Sequence, residues 1–383
     1  MRRHEADVVE WKNRRAYRLS NGRVELTVLV GGGHIADFRL CGSPINLLWE
    51  APWLTIEPQG FSPHEHAALY GDVPVGKFLS GFTGHALALG YFGMPSSAQA
   101  AQGLPLHGEA AGSEWRIAAI EGSECNDCYV ALALEVELPV SRLHFRREIV
   151  LRPDALVVSI TEVVTNRSNH EVEFQWVEHA TFGEPLFTKG EASLFLSGTR
   201  GLTWPLGYED HELLLNASEY QWPHAPTVGG GQTDLSQPFV RHGTGFVAAV
   251  LADRDRENAF VAVHNRRHGL VAGYSYDPAR FPWIALWEEN RARGYAPWHG
   301  KTRARGVEFG TSPMPLGLDQ ARVTRSLFDT PVLTSIGGKS RIKTHYQLFL
   351  SPVPPEWKQI KDVRPSGHGL VLSSDGDDEI IIE

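Results

Sequence analysis

The chain has 383 residues, 42% of them hydrophobic and 21% charged, an ordinary globular composition with ample material for a core. A formal charge of −9 gives no electrostatic reason to expect a nucleic-acid partner, and no apolar run approaches the roughly 18 residues of a membrane span. Three cysteines, Cys41, Cys125 and Cys128, are too few and too odd for a disulfide framework. Together with an opening segment, MRRHEADVVEWKNRRAY, that lacks an apolar stretch, they lead us to expect a cytoplasmic protein.

Strand signals dominate the chain. The first runs over 24–30 (VELTVLV), after an Asn-Gly turn at 21–22. Four more follow closely at 129–138, 143–151, 155–166 and 171–182, rich in β-branched and aromatic residues and alternating in places, as in LVVSITEVV. Further strands are expected at 245–252, 259–265, 283–289, 304–311 and 343–350, while 201–208 and 228–233 read as loops. Helical periodicity is scarce, with one weak candidate over 64–72. Strands punctuated by turns every ten or so residues predict an all-β protein, a large antiparallel β-sandwich with few short helices. No linker, charge block or repeat divides it, so residues 1–383 are expected to form a single domain, with 352–383 as a C-terminal tail and a hairpin around Asp375-Gly376.

Three residues stand out: His107 in LPLHGEAAGSEW, His179 in FQWVEHATFGEPLF, and Glu308 in RGVEFGTSP. Each follows or lies within a strand signal, so all three could project into one cleft. Two imidazoles and a carboxylate suit proton transfer near neutral pH. The bland alternatives are a hydrogen-bonded structural histidine and a glutamate paired on the surface with Arg303 or Arg305.

Other features carry weaker signals. Cys125 and Cys128 have CxxC spacing but no second pair, and read as loop thiols. His64 and His66 would share one face of a strand and could bind metal, but no third ligand is identifiable, so no metal is expected. Among eleven tryptophans, Trp287 could stack on a ligand ring while Trp283 suits core filling. His299, in the loop entering the Glu308 segment, is a candidate rim contact. The basic run KTRAR (301–305) could contact an anionic substrate or simply protect a sheet edge.

Several segments share their order with one family. YRLSNGRVELTVLVGGGHIADFRL reads as a strand pair joined at a Gly-rich corner, LPLHGEAAGSEW as a Leu-His-Gly segment followed by tryptophan, and VEHATFGEPL as a histidine-bearing strand end with Glu178 where asparagine is usual. RGVEFGTSPMP and DTPVLTSIGGKSRIKTHYQLFL follow in the same order. In these segments the chain resembles the aldose 1-epimerase (galactose mutarotase-like) superfamily. The resemblance implies a supersandwich fold with a sugar cleft on a concave sheet. It also implies cofactor-free opening and closing of a sugar ring, with a small-molecule carbohydrate as partner.

By that resemblance Glu308 is the base and must be ionised. His179 is the acid, its pKa raised by the nearby carboxylate, and His107 steadies the sugar. The departures concern binding. VGKFLSGFTGH replaces the family's Gly-Arg-aromatic-x-Asn-Arg segment, so Lys77 stands for its first arginine and Gly81 for its second, with His85 expected to compensate. The family's Asp-His-x-Phe segment has only Asp210-His211 as a nearest string. A divergent branch with another sugar or sugar derivative is implied. The alternatives are a carbohydrate-binding protein without turnover and an isomerase or epimerase acting beside a carbonyl.

Overall fold

Along Val157–Asn166 every second side chain, from Val158 through Ile160, Glu162 and Val164 to Asn166, is buried, and those between are half-buried. This period of two makes the strand one layer of a two-layer core. The computed structural model describes residues 5–121, 129–376 and 378–383, so the Cys125–Cys128 pair lies outside the described residues. It shows two large antiparallel sheets stacked face to face.

The smaller sheet has eight strands in the order Ala192–Leu196, Ala259–Asn265, Leu270–Tyr276, Arg341–Pro352, Val157–Asn166, Leu143–Leu151, Val130–Leu138 and Arg116–Glu121. Among the described residues the larger has fourteen, one of which, Thr334–Ile336, lies off the main path beside Val172–Phe182. It starts at Glu5–Trp11 and passes through Arg14–Ser20, Val24–Leu29, Ile35–Leu40, His85–Gly90 and Val172–Phe182. It continues through Arg303–Gly310, Trp283–Asn290, Thr244–Ala252 and Gly198–Thr203 to three short strands within 219–234. Leu87, Leu89, Trp176, Leu286 and Phe309 from the larger sheet meet Leu132, Ile149, Ile160, Val261 and Leu348 from the smaller in one continuous core. The strand-rich sandwich expected from the sequence is the observed architecture.

Four central strands of the larger sheet, His85–Gly90, Val172–Phe182, Arg303–Gly310 and Trp283–Asn290, are buried on both faces. Their outer face is covered by the helix Val75–Gly81 and by loops, through Trp49, Phe78, Leu79, Phe82 and Trp298 packing on Ala86, Ala304 and Trp287. A strand covered on both sides has no need to alternate, so HALALG at 85–90 gave no signal in the sequence. Residues 201–203, read there as loop, belong to the strand Gly198–Thr203. The remaining α-helices among the described residues are short: Pro63–Tyr70, Ser97–Ala101 and Gly317–Thr324.

His64 and His66 lie in the first of these helices, where residues two apart point away from each other, which removes the shared face a strand would have offered. In the C-terminal segment Gly369–Ser374 pairs antiparallel with Glu379–Ile382, and a third strand, Ile360–Ser366, joins them. Val363, Leu370, Leu372 and Ile382 join this small sheet to the main core.

Candidate active site

Strand register builds the site. Ala86 pairs with His179 on one side of the Val172–Phe182 strand. On the other side Glu178 pairs with Phe309 and Thr181 with Gly306, which sets His179 opposite Glu308. Glu308 in turn pairs with Ala285, and Ala285 with Ala249. One row across five strands therefore reads Ala86, His179, Glu308, Ala285, Ala249. Side chains opposite one another on one face lie within reach, and the small alanines beside the pair leave depth above the sheet. His179 Nε2 is 3.4 Å from Glu308 Oε1. Gly306, two residues before Glu308 on the same face, makes room for it: a Cβ there would lie 2.3 Å from Glu308 Oε1.

His107 comes from a loop. Its backbone is left-handed (φ 65°), followed by Gly108 at φ 95°, where a Cβ would lie 2.1 Å from the Leu89 carbonyl oxygen. Gly108 thus serves close packing against a strand rather than approach to a ligand. His107 N–H donates to the Gly93 carbonyl at 2.9 Å, and its Nδ1 accepts from Gly93 N–H at 3.2 Å. Nδ1 is an acceptor here, so neutral His107 carries its proton on Nε2. Its ring lies 5.1 Å from that of His179 and 4.9 Å from that of Phe78, centroid to centroid.

These residues line a cleft of about 260 Å³, walled by Phe78, Phe82, Phe92, Trp287 and Trp298. The helix Val75–Gly81 holds the aromatic wall in place. Beneath it the buried Arg14 guanidinium donates to the Gly81 carbonyl at 2.7 Å and the Gly31 carbonyl at 2.9 Å. Trp287 Nε1 donates to Tyr208 Oη at 2.9 Å, and Tyr208 to Glu289 at 2.8 Å.

The electrostatics reverse one expectation. Burial lowers the His179 pKa to about 3, with His85 adding to the effect, and holds His107 well below its ordinary value, with His179 contributing. Burial likewise pushes Glu308 well above the usual carboxylate range. A carboxylate at 3.4 Å would by itself raise His179, but in a site this dry desolvation outweighs it. Burial thus favours the uncharged form of both partners, and Glu308 Oε2 is buried without a hydrogen-bond partner among the described residues.

The expected binding residues fare unevenly. Trp287 lines the cleft. His85 does not: it points to the inter-sheet side, where Nε2 donates to Glu178 at 2.8 Å and Nδ1 accepts from Tyr274 at 3.0 Å. It pairs with Ala180 and so faces away from His179. Lys77 donates to the Gly103 carbonyl at 2.9 Å, and neither it nor the exposed His299 lines the cleft. Of the basic run, Arg305 is buried against Glu288 and Arg303 pairs with Glu184 at 2.9 Å. Trp283 packs with Ala321 and Val332, as core filling requires.

Sequence reasoning missed Tyr208, Glu209 and Arg293, all at the cleft. The first two directly precede Asp210-His211, and Arg293 lies in the loop after the Trp287 strand. Partial burial would raise Glu209, but hydrogen bonds from Arg293 (2.9 Å) and Tyr295 (2.8 Å) outweigh it and hold its carboxyl below the usual range.

Comparison with solved structures places the fold. A proposed aldose 1-epimerase from Klebsiella pneumoniae aligns with a TM-score of 0.64 at 16% identity, covering 90% of this chain and 82% of that one. A galactose mutarotase-like protein from Clostridium acetobutylicum aligns at 0.58 and 12% identity, over 91% and 98%. A proposed aldose 1-epimerase from Escherichia coli K12 aligns at 0.56 and 15% identity, over 88% and 99%. At such identities the likeness is one of fold. A search of curated proteins found no match. Residues 14–297 match the family model described as a domain of unknown function, DUF4432, and the chain, with its galactose mutarotase-like fold, belongs to that family.

Proposed function

We propose that the cleft interconverts the anomers of a sugar by acid–base ring opening and closure, without a cofactor. The observation that carries this reading is the facing pair, His179 Nε2 at 3.4 Å from Glu308 Oε1, in a cleft of single-ring size with His107 beside it. Its volume falls near the small end of ligand pockets, roughly 300–1,000 Å³, and aromatic walls suit the apolar faces of a pyranose or furanose.

Opening moves two protons. A base takes the proton from the C1 hydroxyl, the C1–O bond to that oxygen becomes a carbonyl, the C1–O5 bond breaks, and an acid protonates O5. The aldehyde turns about C1–C2 and the steps reverse on its other face. The pair carries one proton to give and one lone pair to take, which is the inventory these steps need. Burial favours the uncharged form of each, so in this reading Glu308 begins as donor and His179 as acceptor, the reverse of the roles implied by the resemblance. Nε2–H of His107 is the donor that steadies the oxygen on which negative charge develops.

The test is direct. Freshly dissolved α-anomers of several aldoses are followed by NMR with and without the protein. Acceleration lost in both Glu308→Gln and His179→Asn is the expected result; saturable binding with no acceleration for any sugar would sink the enzymatic reading. Proton placement has its own readout. The infrared spectrum at neutral pH should contain a protonated-carboxyl component, distinct from that of Glu162, that disappears in Glu308→Gln and persists in Glu162→Gln.

A further inference from the structure

Arg293 is the only arginine or lysine among the described residues lining the cleft. Its side chain is 17% exposed. The guanidinium lies 4.3 Å from the ring centre of Tyr208 and 5.1 Å from that of Trp298. Nε donates to Glu209 Oε1 at 2.9 Å, and Nη1 stands 3.6 Å from Glu289 Oε2. Nη2 has no hydrogen-bond partner among the described residues. Glu209 Oε1 also accepts from Tyr295 Oη at 2.8 Å, while Oε2 of the same carboxylate is unengaged. The pair thus leaves one strong donor and one strong acceptor together at the cleft, fixed in position by aromatic contacts and by Tyr295.

Resting on the reading that the cleft holds a sugar, we infer that Arg293 and Glu209 clamp two neighbouring hydroxyls of an uncharged sugar and disfavour phosphorylated and carboxylated ones. A hydroxyl can both give and accept, so two adjacent hydroxyls match a donor and an acceptor held side by side. An anionic group has no acceptable place. Arg293 is already flanked by the carboxylates of Glu209 and Glu289, and a phosphate or carboxylate reaching it would meet both where apolar walls weaken screening. No other cation is on hand: Lys77 is tied to Gly103, Arg303 to Glu184, and Arg305 faces the buried Glu288. The clamp also accounts for the missing family arginine. Gly81 closes a helix against Arg14 and Pro58, and the cleft's cation enters from a different loop.

The experiment reads binding separately from turnover. Ligand-observed NMR gives dissociation constants for free aldohexoses and aldopentoses, their terminal phosphates and the matching uronates. The proteins are wild type, Glu209→Gln and Arg293→Gln, and anomer exchange is followed in the same samples. Wild type should prefer a neutral sugar. Arg293→Gln should weaken that binding about tenfold to a hundredfold, the usual loss for a charged hydrogen bond. Glu209→Gln sits on an exposed side chain, so the fold should survive. By freeing Arg293 of a counter-charge it should shift preference towards the phosphate or uronate by about tenfold or more. A wild type that binds the anionic sugar at least as well, a Glu209→Gln with unchanged preference, or no sugar binding at all would each overturn the clamp. Binding with the expected preferences but no anomer exchange would leave the clamp standing and reject the enzymatic reading.

Discussion

Glu178 and His179 are neighbours in one strand, and the two faces they serve use the same residue types in opposite ways. On the inter-sheet side Glu178 accepts from Arg147 at 2.9 Å, His85 at 2.8 Å and Trp176 at 2.8 Å. Arg147 also donates to Glu162 at 2.6 Å and to the Gly33 carbonyl at 3.0 Å. Tyr346 Oη stands within 3.1 Å of both carboxyls. Burial, reinforced by Glu178 and opposed by Arg147, raises the Glu162 pKa to about 8, so the two carboxyls need not both be charged beside one arginine. On the cleft side His179 has only Glu308 and Thr181, each at 3.4 Å, and Glu308 Oε2 has no partner. Glu162 Oε2 is also buried without a partner among the described residues. Every residue of the inter-sheet cluster is nonetheless tied to its neighbours by at least one charged or hydroxyl hydrogen bond, and such a network holds a structure together. The cleft pair has no charged hydrogen bond of that kind, which is why we propose that it serves a ligand.

Four substitutions test that contrast. The largest effect is expected at Glu308→Gln, where removing an acid–base group should cut the catalysed anomer exchange by about 10²–10⁴-fold while circular dichroism stays native. Next comes Arg147→Leu on the opposite face. It strips the cation from two buried carboxyls and should cost about 3–5 kcal/mol in urea unfolding, as broken buried ion pairs do. Adding Glu178→Gln to it should restore part of the loss; equal instability of the double variant would break the assignment of the network as an ion-pair core.

Gly306→Ala is subtler. Its methyl would collide with Glu308 Oε1 and displace the carboxyl, so exchange should slow by up to about a hundredfold, the cost of a misplacement near 1 Å, with KM little changed. An unaltered rate would mean the carboxyl's position is not critical.

The smallest effect concerns stability and pH. The folded-state pKa of Glu308 lies above its unfolded value. Folding therefore takes up a proton, and the native state loses stability as pH rises from the unfolded pKa towards the folded one. Glutamine does not titrate, so Glu308→Gln should melt higher than wild type near pH 7.5, with the advantage shrinking towards pH 4.5. A melting-point difference that does not change with pH would contradict the protonated carboxyl.

The legible part of this protein is what repeats at short range. Val158, Ile160 and Val164 alternate with half-exposed neighbours, so their strand showed in the sequence, whereas HALALG at 85–90, covered on both faces, did not. His107, His179 and Glu308 were found because short motifs surround them. His85 was misplaced because parity along a strand decides its face, and parity needs the register: opposite Ala180, it must turn inward. Tyr208, Glu209 and Arg293 escaped because each lies in a loop that reaches the cleft only after distant strands pair.

By itself, then, the order of residues determined the sheets, since alternation and turns are local properties, and it singled out two histidines and a glutamate. The tertiary structure decided the rest. Pairing across five strands set His179 against Glu308 between alanines, and burial, which no single segment encodes, pushed both towards their uncharged forms. Desolvation belongs to the whole assembly, because it depends on what every other part of the chain places around a charge.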